Sequence, residues 1–202
     1  MPLRVIAGKA KGRRLKLVPG DSTRPIMDRV KESLFNIIGP AIIGTNFLDL
    51  FSGTGSVGIE ALSRGAEHAL LVDMNRNAIK TIRENLRITG LEGQAVVRQS
   101  DAFVLLKKAP ARIYDYIYVA PPQYIDLWWK TLEALHANPA WIPEGTQVIV
   151  QIDPKEMRDI TRTFPLLQEV DRRKYGRTLL LFLESIAQPE DNAQDKNGSM
   201  TA

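Results

Sequence analysis

The sequence predicts a doubly wound α/β sheet, and three observations carry that prediction. Apolar runs of strand length alternate with amphipathic runs of helix length along most of the chain. The first apolar run leads into Asp49-Leu-Phe-Ser-Gly-Thr-Gly-Ser-Val-Gly58, which fits G-x-G-x-x-G between a strand and a helix. About 20 residues after Gly53, Asp73 closes the second apolar run, where an acid can accept from both hydroxyls of a ribose.

The elements follow in order. Leu3, Val5, Ile6 and Leu15, Leu17, Val18 bracket Gly8-Lys-Ala-Lys-Gly12, which reads as a small N-terminal β-hairpin of two short strands. A loop at 19–25 precedes a helix over 27–38, whose apolar face is Val30, Leu34, Ile37 and Ile38 and whose end is marked by Gly39-Pro40. Phe47, Leu48, Leu50 and Phe51 suit a central strand over 47–51, covered on both faces. A helix over 56–64 stops at Gly65. Strands at 68–73, 95–98, 114–119 and 146–152 alternate with helices at 75–89, 101–107 and 125–135. The last two strands, 167–174 and 178–184, are joined by Tyr175-Gly-Arg177, a link short enough to require an antiparallel pair. The sheet is therefore mostly parallel, with an antiparallel pair at its C-terminal end. Residues 1–24 form the basic hairpin extension and 25–186 the main domain. Residues 187–202 are polar and rich in turn formers, a composition that favours disorder.

Composition narrows the function. A hydrophobic content of 44% and a charged content of 25% are those of an ordinary globular protein. With no cysteine and only His68 and His136, no disulfide, thiolate centre or other metal site is expected. No apolar run is long enough to span a membrane, and a basic-then-apolar leader is lacking, so a cytoplasmic monomer is expected. The net charge of +4 is uneven: residues 1–31 hold nine basic and two acidic side chains, leaving 18 basic and 21 acidic in the rest. A concentrated basic segment suits phosphate backbones, although a solvated basic loop has the same composition.

Asp49 bears on the ligand of the glycine turn. It stands where a dinucleotide site holds its pyrophosphate, which a carboxylate repels, whereas it attracts an ammonium or sulfonium group. The turn therefore favours S-adenosylmethionine over NAD. Asp101, after the third strand, is read as a helix N-cap. After the fourth strand comes Val119-Ala-Pro-Pro-Gln-Tyr124. Pro121 and Pro122 make a rigid loop that presents carbonyls, and Tyr124 offers a face on which a base can stack. In such sheets ligands bind outside the carboxyl ends of the strands, where this loop and the glycine turn both fall.

Asp49–Gly58, Asp73, Asp101 and Pro121-Pro-Gln-Tyr124 resemble motifs of the Rossmann-like, S-adenosylmethionine-dependent methyltransferases. Arg4-Val-Ile-Ala-Gly-Lys-Ala-Lys-Gly-Arg13, Thr23-Arg-Pro25, Asp28-Arg-Val-Lys-Glu-Ser-Leu-Phe-Asn36 and Tyr175-Gly-Arg-Thr-Leu-Leu-Leu181 are similar to the RsmD family. Those enzymes methylate the exocyclic N2 of one guanine in small-subunit (16S) ribosomal RNA. The resemblance runs from about residue 3 to residue 184. It implies that Gly53 and Gly55 line the methionine end of the cofactor, Asp49 faces its amino group, Asp73 binds the ribose, and Asp101 with Ala102 beside it meets the adenine. It implies a catalytic loop of Pro121, Pro122, Gln123 and Tyr124 that receives the guanine. Arg4, Lys9, Lys11, Arg13, Arg14 and Arg24 would hold RNA, free or in an assembling small subunit.

One position departs from the family pattern. Ala120 stands where amino-group methyltransferases carry Asp or Asn. Loss of one preorganised acceptor costs on the order of 3–4 kcal/mol at comparable sites. The Pro121 carbonyl and Gln123 are the substitutes nearest in sequence. Two other readings stay open: a catalytically weakened RNA-binding or ribosome-assembly protein on the same scaffold, and a methyltransferase for another nucleobase or a protein.

Overall fold

In the computed structural model, residues 3–20 and 26–187 are described. Arg24 and residues 188–202, nearly all of the segment expected to be disordered, lie outside the described residues. Seven strands form one sheet in the order β3-β2-β1-β4-β5-β7-β6. They are β1 (Asn46–Asp49), β2 (His68–Asp73), β3 (Ala95–Gln99), β4 (Tyr116–Val119), β5 (Gln147–Ile152), β6 (Leu167–Tyr175) and β7 (Thr178–Ser185). The first five pair in parallel; β7 runs antiparallel to β6, as the two-residue link Gly176-Arg177 requires, and antiparallel to β5 as well.

Side-chain alternation along the strands divides the core between two faces. Phe47 packs toward one face and Leu48 toward the other, and Leu71 and Leu70 repeat the alternation. The first face is covered by α1 (Asp28–Ile38), α2 (Ser56–Ser63) and α3 (Arg76–Thr89). The second is covered by α4 (Ala102–Leu106) and α5 (Leu127–Ala137), with Trp128 and Trp141 both buried there. β1 is buried from Phe47 to Asp49, which explains its near-continuous apolar sequence.

Helix ends follow local chemistry. Asn75 caps α3 by accepting from the N–H groups of Asn77 and Ala78, and Gly90 ends it in the left-handed region. Asp101 caps α4 by accepting from Phe103 and Val104. The N-cap reading of Asp101 holds, and Asn75, expected inside its helix, stands just outside it. The expected strand start at residue 114 moves to Tyr116, and the expected helix at 125–135 becomes Leu127–Ala137.

The N-terminal hairpin is present with less ladder than expected. One antiparallel bridge joins Arg4 and Arg14, supported by N–H donation from Val5 to Arg13, Gly12 to Val5 and Leu15 to Leu3. Four other N–H groups of the arm turn inward to α2, and that of Lys16 donates to Asn85 on α3. Ile6 and Ala7 donate to the Glu60 carboxylate at 2.8 and 2.9 Å, and Lys9 and Ala10 donate to the Ser63 carbonyl and hydroxyl. Gly8 makes the approach feasible, since a Cβ there would lie 1.8 Å from the Ser63 carbonyl oxygen.

Candidate active site

The switch point of the sheet falls between β1 and β4, the strands that carry the glycine turn and the proline loop. The turn is stitched to both neighbours: Leu50 donates to Tyr118 on β4 and Ser52 to Val72 on β2. Gly53 and Gly55 have φ of 52° and 76°, a region costly for other residues. At Gly58 an added Cβ would lie 2.7 Å from Leu71, so the third glycine lets α2 rest on β2.

Asp73 closes this unit. Its Oδ2 accepts from the Gly53 N–H and its Oδ1 from the Asn75 N–H, both at 2.8 Å. Each oxygen keeps a lone pair for a hydroxyl. Asp101 receives both of its capping bonds on Oδ1. The three acids stand at or just beyond the ends of β1, β2 and β3, on one edge of the sheet.

Asp49 is 1% exposed, and its Oδ1 has no hydrogen-bond partner. Burial is the main reason its pKa is pushed up to about 7; the Gly58 N–H opposes the shift and the charge of Asp73 adds to it. On the paired strand, burial and then the charge of Asp49 raise Tyr118, whose hydroxyl donates to Gln151 at 2.6 Å. A buried carboxylate with one unpartnered oxygen over a glycine turn fits an ammonium or sulfonium group, and it rejects a pyrophosphate.

The proline loop begins as β4 ends. Ala120 is half-buried against the α1–α3 face, Pro121 is buried, and Pro122 is exposed. Gln123 is half-buried, and among the described residues its side chain makes no hydrogen bond. Tyr124 is 56% exposed with φ of 66°. Left-handed backbone at a tyrosine is strained and persists only where surrounding contacts impose it. Two carboxylates do so here. The Tyr124 N–H donates to Glu156 at 2.7 Å, and its hydroxyl donates to Asp153 Oδ2 at 2.5 Å. Arg177 then donates to the Tyr124 hydroxyl at 3.0 Å and lies 3.4 Å from Asp153. Asp153 and Glu156 form a capping box on the 3-10 turn Pro154–Glu156. The Tyr124 hydroxyl, then the Lys155 N–H and Arg177, hold the Asp153 carboxyl below its ordinary pKa.

Sequence reasoning missed Asp153 and Glu156 and gave Arg177 no role of its own. Asp153-Pro-Lys-Glu156 does carry a capping-box signature. That it meets Tyr124 follows from the pairing of β4 with β5, a long-range fact.

The basic residues divide. Lys31, counted with the positive segment, is fully buried: it donates to the Arg4 carbonyl at 2.6 Å and lies 3.4 Å from Glu60. Glu60 also receives Arg64 at 2.8 Å. Burial lowers the Lys31 pKa and Glu60 opposes that shift. Lys31 therefore anchors the arm and takes no part in a surface field. Arg4, Lys9, Lys11, Arg13 and Arg14 are exposed. Arg4 pairs with Asp28, and Lys16 pairs with Glu84. The Lys16 end lies by the glycine turn, because Asn85 donates to the carbonyls of both Lys16 and Thr54. Lys9 and Lys11 lie at the other end, by the C-terminus of α2. The structure thus does not gather all the basic arm residues at the cleft.

Residues 3–184 match the family described as "Conserved hypothetical protein 95". The chain is 49% identical over 168 residues to "Putative rRNA methyltransferase YlbH" of Bacillus subtilis, covering 80% of this chain and 91% of that protein. It is 33% identical over 194 residues to "Ribosomal RNA small subunit methyltransferase D" of Escherichia coli K12, covering 95% and 94%. Among solved structures, "Putative methyltransferase yhhF" from Escherichia coli superposes with a TM-score of 0.81 at 29% identity, over 93% of this chain and 100% of that one.

Proposed function

The chain belongs to the family described as "Conserved hypothetical protein 95", the RsmD-type ribosomal RNA methyltransferases, and from that premise we propose that it methylates the exocyclic N2 of a guanine in small-subunit ribosomal RNA, with S-adenosylmethionine as the methyl donor. The observation that carries the cofactor is Asp49, buried and with one oxygen unpartnered beside the glycine turn.

When bound, S-adenosylmethionine supplies a methyl group made electrophilic by its sulfonium. Asp49 accepts from the ammonium of the methionine moiety. Gly53 and Gly55 keep the turn free of side chains beside that moiety. Asp73 accepts from the ribose hydroxyls while holding the turn to β2. Asp101, with Ala102 beside it, meets the adenine. On the acceptor side, Tyr124 stacks the guanine, fixed by Asp153, Glu156 and Arg177. The Pro121 carbonyl accepts one N–H of the amino group, orienting its nitrogen lone pair. The amino nitrogen that accepts the methyl group would release a proton to solvent. No strong base is needed first, because the nucleophile is neutral and the electrophile is charged.

Arg4, Lys9, Lys11, Arg13, Arg14 and Arg24 bind RNA phosphates in this reading, and the protein works in the cytoplasm as a monomer. Among the described residues no helix is long and apolar enough to cross a membrane. Transfer of labelled methyl to small-subunit RNA or an assembling subunit, followed by mapping to guanine N2, tests the proposal. A chain that binds both ligands and transfers nothing overturns it. That outcome favours the second reading, an RNA-binding assembly protein with weakened catalysis, which rests on Ala120. A methyl group mapped to another base or to a protein also overturns it.

A further inference from the structure

Beside the acceptor loop lies a groove of about 440 Å³, walled by Asp153, Pro154, Lys155, Lys174, Gly176 and Arg177. It forms where the turn after β5 meets the β6–β7 hairpin. Lys155, Lys174 and Arg177 are exposed, and neither lysine makes an ion pair among the described residues. The single acid, Asp153, is 2% exposed. Its Oδ1 accepts from the Lys155 N–H and its Oδ2 from Tyr124 and Arg177. Gly176 contributes no side chain, and Pro154 no N–H. The groove therefore shows cations to solvent and keeps its carboxylate covered.

Resting on the reading that the substrate is RNA, we propose that this groove binds a backbone phosphate of the substrate strand, next to the nucleotide whose base lies on Tyr124. Arg177 joins the two positions. One terminal nitrogen donates to the Tyr124 hydroxyl, and the guanidinium has further N–H groups for an anion. Lys155 and Lys174 approach from the turn and from β6, as point charges on either side of one phosphate. An exposed aromatic face followed by a cationic groove matches the base-then-phosphate repeat of a single strand. Such an interaction sets the register of the strand without reading its sequence.

The test titrates a small-subunit ribosomal RNA transcript into the full chain across a range of salt concentrations. K155Q/K174Q is compared with K107Q/K108Q, an exposed pair after α4 that removes the same charge. K155Q/K174Q is expected to weaken RNA binding several-fold and to lower the slope of log affinity against log salt by about one for each phosphate that is no longer neutralised. Binding of S-adenosylhomocysteine stays unchanged, and K107Q/K108Q leaves the slope near that of the parent chain. An unchanged slope in K155Q/K174Q, or an equal fall in both pairs, overturns the groove assignment and leaves the RNA reading standing. A parent chain with no salt-dependent affinity for the transcript overturns the RNA reading, and the assignment with it.

Discussion

Asp49, Gly53, Gly55 and Asp73 all fall within β1, β2 and the turn that leads from β1 into α2, and Asp73 closes this unit by accepting from Gly53, 20 residues before it. Tyr124, Asp153, Glu156 and Arg177 come from three separate segments, joined only where β4, β5 and β7 lie side by side. The first group lies in one β1–α2–β2 unit, which the proposed function assigns to the cofactor. The second is an assembly whose geometry depends on the rest of the sheet. A local unit leaves little room for change, because Gly58 already touches Leu71 and Asp73 already holds Gly53. The assembled half has its orienting bonds distributed over several partners, and it is there that Ala120 departs from the family pattern.

Substitutions that separate the halves test this contrast. The largest effect is expected from Asp73→Ala. It removes a charged acceptor for the ribose and frees two N–H groups, and at about 1.5–3 kcal/mol per charged hydrogen bond it should weaken S-adenosylhomocysteine binding ~100-fold by calorimetry. Unchanged affinity would remove Asp73 from the cofactor half.

Ala120→Asp comes next. It restores a side-chain acceptor beside the guanine, and a single such group is worth about 100- to 1,000-fold in turnover at comparable sites. Single-turnover methyl transfer should rise at least ~10-fold with cofactor affinity little changed. A fall would show that the acceptor pocket is organised around alanine.

Tyr124→Phe keeps the stacking face and deletes the hydroxyl that ties Asp153 to Arg177. A ~10-fold loss of methyl transfer at unchanged S-adenosylhomocysteine affinity is expected, about one hydrogen bond to a charged group. A parallel loss of cofactor affinity would mean that the two halves are one unit.

Asp49 supplies a pH test of the cofactor half alone. Its folded pKa of about 7 lies above its unfolded value. The native state thus holds a proton that the unfolded state has released between about pH 4 and pH 7, and its contribution to stability is lost as pH rises through that window. Binding of an ammonium needs the carboxylate, so S-adenosylhomocysteine affinity should rise with pH, by at most ~10-fold per unit below pH 7. Asp49→Asn should flatten that profile. A profile that stays steep in the variant assigns the proton elsewhere.

The smallest effect is expected from R13A/R14A. These exposed arm residues lie outside both halves, so RNA affinity should fall only a few-fold and its salt slope by about one per phosphate released, with cofactor binding intact. No change in RNA binding would remove this part of the arm from the interface.

By itself the sequence determined the α/β alternation, the C-terminal antiparallel pair and the glycine turn with its acids, because each rests on local chemistry. Alternating apolar runs specify strands and helices, glycines permit the positive φ of the turn, and the acids sit at strand ends. Only the tertiary structure decided the rest. Lys31 looks like one more cation in a basic segment, yet it is buried on α1 against Glu60 of α2, a partner 29 residues away in sequence. The arm was legible as a hairpin, but not its course along α2 or the placing of Lys9 and Lys11 away from the cleft. Asp153, Glu156 and Arg177 carry no local sign of their work on Tyr124. Their hydrogen bonds cross from one strand's end to another's, and strand order is fixed by packing over the whole core.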